Sequence, residues 1–321
     1  MKFYRIFKTA RCIRITALVA TLALSATSML AAAPAKATEP LRLGIMPDAD
    51  SLPFMVAEAE GLFAKNGVAV ELITFANAQE RDAAIQAGRL DGAISDLLAA
   101  CFLVAGGFDM RVTSVTDGRY GIAAAPGSGI ANTAGLAGKK IGLSSNTIIQ
   151  YSVDAITNAA GLTASGYNAV AIPKMPVRME MLLAGQVDAA GLPEPFLTTA
   201  IQRGAILVGT TEQFHIDAAV IVFSKAVLDA RLADVQNLYG VYALAAEKIN
   251  ANPESYRAFL VEKARFPADI KDVYRFVKYR KPTLPEATQV QAVIVWLKAR
   301  GLLSKDLVPA NLLDGRAVAA W

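Results

Sequence analysis

Ala87-Gly88-Arg89-Leu90-Asp91-Gly92-Ala93 returns 97 residues later as Ala184-Gly185-Gln186-Val187-Asp188-Ala189-Ala190. The echo extends upstream of both copies. Leu43-Gly44-Ile45 leads through a helical stretch to Gly61-Leu62, and Ile141-Gly142-Leu143 leads through another to Gly161-Leu162, with the offset staying between 97 and 100. That period is too long for a solenoid and close to the size of a small domain, so the spacing predicts two similar α/β lobes with a cleft between them. Each copy ends a helix with Ala-Gly and starts a strand after Asp, which places Asp91 and Asp188 at the helix-to-strand turns, away from the cleft.

Outward from the repeat, the chain reads as strands at 41–46, 68–75, 92–95 and 110–116 separated by helices at 52–64, 78–87 and 97–105. A stretch of small residues at 120–125 reads as a strand leading into Pro126-Gly127-Ser128-Gly129, which is suited to a crossing between lobes. The order then restarts, with strands at 140–143, 169–172, 187–191 and 205–209 and helices at 148–160, 177–184 and 196–203. The stretch 218–223 is the returning crossover, and from Lys225 the pattern is helical, with those helices expected to pack on the first lobe. Alternation of strands with helices of this length predicts parallel βαβ units. Residues 38–120 and 216–321 are assigned to lobe one and 121–215 to lobe two.

Residues 1–37 read as a secretory signal peptide. Lys2, Arg5, Lys8, Arg11 and Arg14 form a basic start, 15–30 is apolar, and Ala35-Lys36-Ala37 offers a cleavage site. An uncleaved anchor is the rival, but the apolar stretch is short for a bilayer span. The full chain has 32 Lys and Arg against 28 Asp and Glu, a net charge of +4, and six of the basic residues lie in the leader. The expected mature chain is therefore at −2, which removes the electrostatic argument for nucleic acid. The expected product is a soluble, periplasmic monomer. Cys101 is then the sole cysteine, within Ala100-Cys101-Phe102-Leu103, where a buried inert thiol is expected.

Ligands of open parallel sheets meet the loops at the carboxyl ends of the strands, where helix N-termini present free N–H groups. The polar residues concentrate there. Asp48, Ser51, Asn77, Ser95, Asp96 and Arg119 are the candidates in lobe one, and Ser144, Ser145, Asn146, Thr147, Lys174 and Glu194 those in lobe two. Asp48, Ser51 and Asn77 are also the types that cap helices, so capping and ligand contact stay open for them. Four consecutive hydrogen-bonding side chains at 144–147 exceed what one cap requires. Glu194 stands between two prolines that fix its backbone, so both a cleft carboxylate and a solvated loop glutamate fit it. His215 has no nucleophile or metal partner at a recognisable spacing, and the chain has no H-E-x-x-H, G-x-S-x-G or Walker pattern. No catalytic residue, metal or cofactor is assigned.

Leu43-Gly44-Ile45, Leu52-Pro53 running to Gly61-Leu62-Phe63, Gly67-Val68-Ala69-Val70-Glu71-Leu72, the two Ala-Gly-x-x-Asp phrases, Leu136-Ala137-Gly138-Lys139-Lys140-Ile141-Gly142 and Glu194-Pro195-Phe196 carry a resemblance. In that order the chain resembles periplasmic substrate-binding proteins of ABC importers, in the nitrate, sulfonate and taurine group with its thiamine-precursor-binding (NMT1/THI5-like) relatives. The resemblance implies a two-lobed type II binding-protein fold that closes on a small molecule and delivers it to a membrane permease, with hinges near 117–124 and 211–219. Neutral donors at 144–147 suit an anion. Asp48, Asp50, Asp96, Asp117 and Glu194 instead favour an amine, amidine or protonated heterocycle. An enzyme of the thiamine-pyrimidine or menaquinone type, or a periplasmic sensor subunit, is the alternative on the same fold.

Overall fold

The computed structural model describes residues 39–163 and 166–319. The expected signal peptide, with Cys12, lies outside the described residues. The chain builds β1 (Leu41–Ile45), α1 (Leu52–Ala59), α2 (Leu62–Lys65), β2 (Val70–Thr74), α3 (Ala78–Gln86), β3 (Gly92–Asp96), α4 (Leu97–Ala105) and β4 (Met110–Val115). It then crosses to β5 (Tyr120–Ala124), β6 (Lys140–Leu143), α5 (Ile148–Ala159), β7 (Asn168–Ala171), α6 (Met175–Leu183), β8 (Ala189–Pro193), α7 (Phe196–Gln202) and β9 (Ile206–Thr210). Then it returns through β10 (Ala219–Ser224) into α8 (Lys225–Ala251), α9 (Arg257–Glu262), α10 (Ala287–Ala299) and α11 (Pro309–Leu312).

Two five-stranded sheets result, in the orders β2-β1-β3-β10-β4 and β7-β6-β8-β5-β9. The expected α/β class with mostly parallel sheets is what the chain adopts, and the repeat is the reason the two orders match. Each sheet contains one antiparallel strand. β10 runs against β3 and β4, and β5 runs against β8 and β9. These are the strands that follow the crossings, so each enters its sheet from the side at which the parallel strands end. Alternation of strand and helix carries no record of that direction.

The first crossing differs from the expectation. Pro126-Gly127-Ser128-Gly129 is a turn inside the second half, because β5 is already paired on both sides before it. The crossing is the short stretch 116–119, between β4 and β5, which carries its own turn dipeptide in Asp117-Gly118. The helix expected over 52–64 is likewise two helices. Gly61 takes φ +65° between α1 and α2, a left-handed conformation that glycine adopts without steric cost.

The repeat aspartates do the same job twice. Asp91 accepts the backbone N–H of Arg42 at 2.8 Å, and Asp188 accepts that of Lys140 at 2.8 Å. Each ties the start of its own sheet's neighbouring strand to the turn before β3 or β8, at the opposite end of the strands from the ligand loops.

Helices with one apolar stripe cover the sheets, but α4 is apolar all round. Leu97, Leu98, Ala99, Ala100, Cys101 and Leu103 are all buried, as expected of a helix enclosed by neighbours. Sheet one and α10 enclose it. The C-terminal helices pack on the first half as expected, α8 against α1 and α10 against α4. They also reach the second half. Trp296 in α10 donates its indole N–H to Asp154 of α5 at 2.9 Å, Arg300 pairs with the same carboxylate, and Tyr167 donates to its other oxygen at 2.7 Å.

Candidate functional site

The carboxyl ends of the parallel strands from both sheets face one another across a cavity. The space between its lining atoms, with the open mouth included, is about 500 Å³. The lining comes from the loops after β1, β2 and β3 on one wall and after β6 and β7 on the other, with Tyr120 and Pro193 between.

On the first wall, the loop after β1 folds around Asp48. Its Oδ1 accepts both the backbone N–H and the hydroxyl of Ser51, at 3.1 and 2.9 Å, while the Ser51 hydroxyl accepts the N–H of Met46. Asp50 accepts the hydroxyls of Thr116 and Tyr120, each at 2.6 Å. Burial pushes both carboxyls above the usual carboxylate range, Asp48 far above it with Asp50's repulsion adding to the burial. Asn77 caps α3 by accepting the N–H of Glu80, and Asp96 caps α4 by accepting that of Ala99 at 2.9 Å. Ser95, between them, is 4% exposed, and its hydroxyl has no partner among the described residues.

On the second wall, Thr147 caps α5 by accepting the N–H of Ile149 and donates to the carbonyl of Ser144 at 2.9 Å. Beyond it stand Pro173, Met175 and Arg178.

Asp48, Asn77, Ser95, Asp96, Ser144 and Thr147 line the cavity, so the structure brings six of the twelve candidates together. Ser51 sits one layer behind, holding Asp48. Ser145, Asn146 and Lys174 are exposed and outside the lining. Asn146 adopts φ +58° and gives its N–H to Gln150, serving the turn. Arg119 and Glu194 are buried but paired. Arg119 Nε and Nη2 both donate to Glu194 Oε1, and Thr198 donates to the same carboxylate. Glu194 is neither a free cleft carboxylate nor a solvated one. The prolines on either side aim it at a neighbouring arginine.

Two arginines in the lining were absent from the candidates, and they are a pair related by the repeat. Arg81 and Arg178 stand 97 residues apart, in the first turn of α3 and α6, and are 1% and 0% exposed. Arg81 Nη1 donates to the carbonyl of Ile94 and Arg178 Nη1 to that of Gly191, carbonyls again 97 apart. A signal for both exists in the sequence. Arg81 is in phase with Ala84 and Ile85, and Arg178 with Met175, Met179 and Leu182, so each arginine occupies the apolar stripe of its helix.

Their electrostatics differ. Arg81 Nε donates to Asp82 at 2.8 Å, and its Nη2 lies 2.8 Å from Asp82 and 3.7 Å from Asp96, though out of line for a hydrogen bond to either. At the repeat-equivalent positions of those aspartates, Arg178 has Met179 and Pro193. Its Nε, Nη1 and Nη2 donate to the carbonyls of Ile172, Gly191 and Pro173, and it has no carboxylate partner among the described residues. Burial lowers its pKa to about 10.

The NMT1/THI5-like family model matches residues 48–259, about two thirds of the chain. The chain belongs to the NMT1/THI5-like family. No curated protein matches it. Among solved structures, this NMT1/THI5-like chain is similar to the periplasmic aliphatic sulphonate binding protein SsuA of Escherichia coli, with a TM-score of 0.74 and 17% identity over 86% of this chain and 92% of that one. It is similar to the periplasmic nitrate-binding protein NrtA of Synechocystis PCC 6803, at 0.65 and 16% over 83% of each. It is also similar to the desulfurization enzyme DSZB, at 0.63 and 15% over 87% of this chain and 98% of that one. The shared feature is the periplasmic binding protein fold, which serves binding proteins and an enzyme alike.

Proposed function

We propose that this NMT1/THI5-like chain is the solute-binding subunit of an ABC importer. As a periplasmic monomer it captures a small organic molecule between its two halves and delivers it to a membrane permease. The observation that carries this reading is the cavity itself, walled by strand-end loops of both sheets and holding the Ser95 hydroxyl, which has no partner among the described residues. A ligand touching both walls stabilises the closed arrangement over an open one, so binding shifts the population toward a form a permease can distinguish. The crossings at 116–119 and 211–218 are the hinges in this reading. Arg280 spans both, donating to Asp117 and to Asp217. The leader expected at 1–37 supports export, and no helix among the described residues is long and apolar enough to cross a membrane.

The binding reading is preferred over an enzyme of the thiamine-pyrimidine or menaquinone type because the leader expected at 1–37 fits cytosolic biosynthesis poorly. Cys101 lies in α4 outside the lining, its thiol pushed up by burial to about 12, and His215 is outside the lining as well.

The test is native mass spectrometry of the protein purified without unfolding, followed by uptake measurements. One small molecule per chain is expected, and cells lacking the chain should lose uptake of that molecule. Retained uptake with a lost response to the molecule would make the chain a sensor subunit. Chemical conversion of the molecule by the purified protein would make it an enzyme.

A further inference from the structure

We propose that residues 275–283 are a basic strap laid across both crossings, whose ion pairs hold the two halves in the cavity-forming arrangement, so that ionic strength regulates opening of the cleft. The proposal rests on the solute-binding reading and concerns the regulation of that site.

The strap is Arg275-Phe276-Val277-Lys278-Tyr279-Arg280-Lys281-Pro282-Thr283, irregular backbone with four basic residues among its first seven. It is fixed to the first half. Tyr279 is buried in that half's core, its N–H and carbonyl are both taken by the Asn250 side chain of α8 at 3.0 and 2.7 Å, and its hydroxyl donates to the carbonyl of Ala49 at 2.8 Å. At the far end, the Thr283 carbonyl accepts the N–H of Val115 in β4 at 2.8 Å, and the Thr283 N–H donates to the Ser114 hydroxyl at 3.1 Å.

From that base the strap reaches both crossings. Arg280 donates its backbone N–H and Nε to Asp117 in the first, at 2.7 and 2.5 Å, while its Nη1 and Nη2 fork onto Asp217 in the second, at 3.1 and 3.3 Å. Arg275 donates from Nη2 to Glu212 of the second crossing at 2.8 Å, and its carbonyl accepts Nη2 of Arg119 in the first. One guanidinium therefore sets the spacing of the two crossings. Just upstream of the strap, Asp269 in the short turn Ala268–Ile270 accepts Nε of Arg203, which closes α7 of the second half, at 2.8 Å.

Rotation of one half against the other is taken up by backbone torsions in the crossings. It turns Asp117 and Asp217 and carries Glu212 and Arg203 relative to a strap that cannot follow them. The pairs are made in the arrangement that forms the cavity and are broken when the halves turn apart. Exposed ion pairs add little to folding singly. The balance between two arrangements depends only on the difference between them, so a few such pairs shift it several-fold. The side chains of Arg275 and Glu212 are 73% and 55% exposed and those of Arg280 and Asp217 are 42% and 49%, so dissolved ions screen them. The Arg119–Glu194 pair beside them is buried and shielded, which leaves the strap as the part of this junction that salt weakens.

The test places spin labels at Gln79→Cys and Val177→Cys, exposed positions in the first turns of α3 and α6 on opposite walls. Cys101 is buried, so the labels go to the introduced thiols. Pulsed electron paramagnetic resonance then gives their separation in protein dialysed free of small molecules. Between about 0.01 M and about 1 M NaCl the screening length falls from about 30 to about 3 Å, and the fraction of protein at a longer separation should rise about threefold to tenfold. Glu212→Gln combined with Asp217→Asn should show that longer separation already at low salt and lose most of the response. This double variant leaves Arg280 on Asp117 and the anchors of the strap in place, and circular dichroism reports that it folds. If it does not fold, Arg280→Lys, which keeps the charge and cannot fork between two carboxylates, takes its place with the same expectation. Equal separations in variant and parent at low salt, or a salt response that the variant retains in full, overturns the proposal and leaves the strap a structural tie. The labels are read without ligand, so the solute-binding reading fails separately, when the native protein retains no molecule and its loss changes no uptake.

Discussion

Arg119 and Glu194 form a buried ion pair at the edge of the junction, with Arg119 Nε and Nη2 donating to one carboxylate oxygen at 2.9 and 2.8 Å. Arg119 also donates to the carbonyl of Arg275, and the backbone joins in, Glu194 N–H donating to the Arg119 carbonyl. The pair thus binds the first crossing to the end of β8 and to the C-terminal segment. It explains why a glutamate between prolines looks like a ligand group in the sequence and acts as a strut in the fold.

Glu194→Gln should therefore lower stability and spare ligand affinity. The neutral amide keeps the shape but weakens charge-assisted bonds to a buried guanidinium, for a loss of about 1–3 kcal/mol. Thermal unfolding gives the stability change and calorimetry with the retained ligand gives the affinity. A large affinity loss with unchanged stability would return Glu194 to the cleft.

Acidification should stabilise the ligand-free protein. Burial raises the carboxyls of Asp48, Asp50, Asp96 and Asp117. Asp48 faces Asp50, Ser51 and Arg81, and the nearby cation does not offset its burial. A carboxyl raised on folding binds more protons folded than unfolded. Its stabilising protonation is complete below the unfolded value of about 4 and is lost as pH rises through the higher folded value. Glu60 and Asp91 are lowered and act the other way, but their contribution is lost only as pH falls through and below about 4. Unfolding free energy should accordingly be greater at about pH 5.5 than at about pH 7.5, and Asp48→Asn should shrink the difference. A flat profile in both proteins would contradict the account.

Gly118→Ala should distort the first wall. A Cβ at Gly118 would lie 2.1 Å from Asp50 Oδ2, inside any van der Waals contact. Relief requires moving a carboxylate held by Thr116 and Tyr120, so a cost of about 1–3 kcal/mol is expected, together with weaker ligand binding. Chemical denaturation and calorimetry check the two effects, and an alanine tolerated without loss of either would show that the crossing yields.

How much of this was legible in the sequence follows from what each residue depends on. Asp91 and Asp188 could be placed because a helix-to-strand turn is local, and Asp48, Ser95 and Asp96 because strand-end loops are fixed by strand order. The crossing was legible only in part: the boundary at 120/121 and the hinge near 117–124 lie beside it, but two turn-rich stretches, 116–119 and 126–129, compete locally, and only pairing distant in sequence shows that Tyr120 already belongs to the second sheet. Lys174 and Glu194 lie outside the lining for a related reason. Whether a loop side chain faces a cavity or a neighbour depends on long-range packing, and Glu194's partner is 75 residues away. Arg178 is the opposite case. Its place in an apolar helical stripe is a local signal, and its equivalence to Arg81 is written in the same 97-residue offset as the opening phrase.

Trp296→Phe should shift the balance between open and closed forms from the far side of the molecule. Trp296 stands in α10, which packs on α4 of the first half, yet its indole N–H reaches the wholly buried Asp154 of α5 in the second. Its ring lies edge-on to Tyr151 at 5.7 Å and beneath the Arg300 guanidinium at 4.5 Å. Phenylalanine keeps an aromatic ring against Tyr151 but removes one of the donors to a carboxylate already pushed up by burial. The closed arrangement alone should lose about 1–2 kcal/mol if the contact opens with the cleft. Ligand affinity would then fall about tenfold without any change at the cavity, and small-angle scattering of the ligand-free protein should report a larger radius of gyration. Equal loss of stability with affinity and radius unchanged would mean that α10 and α5 move as one body, and that the hinge motion leaves this contact intact.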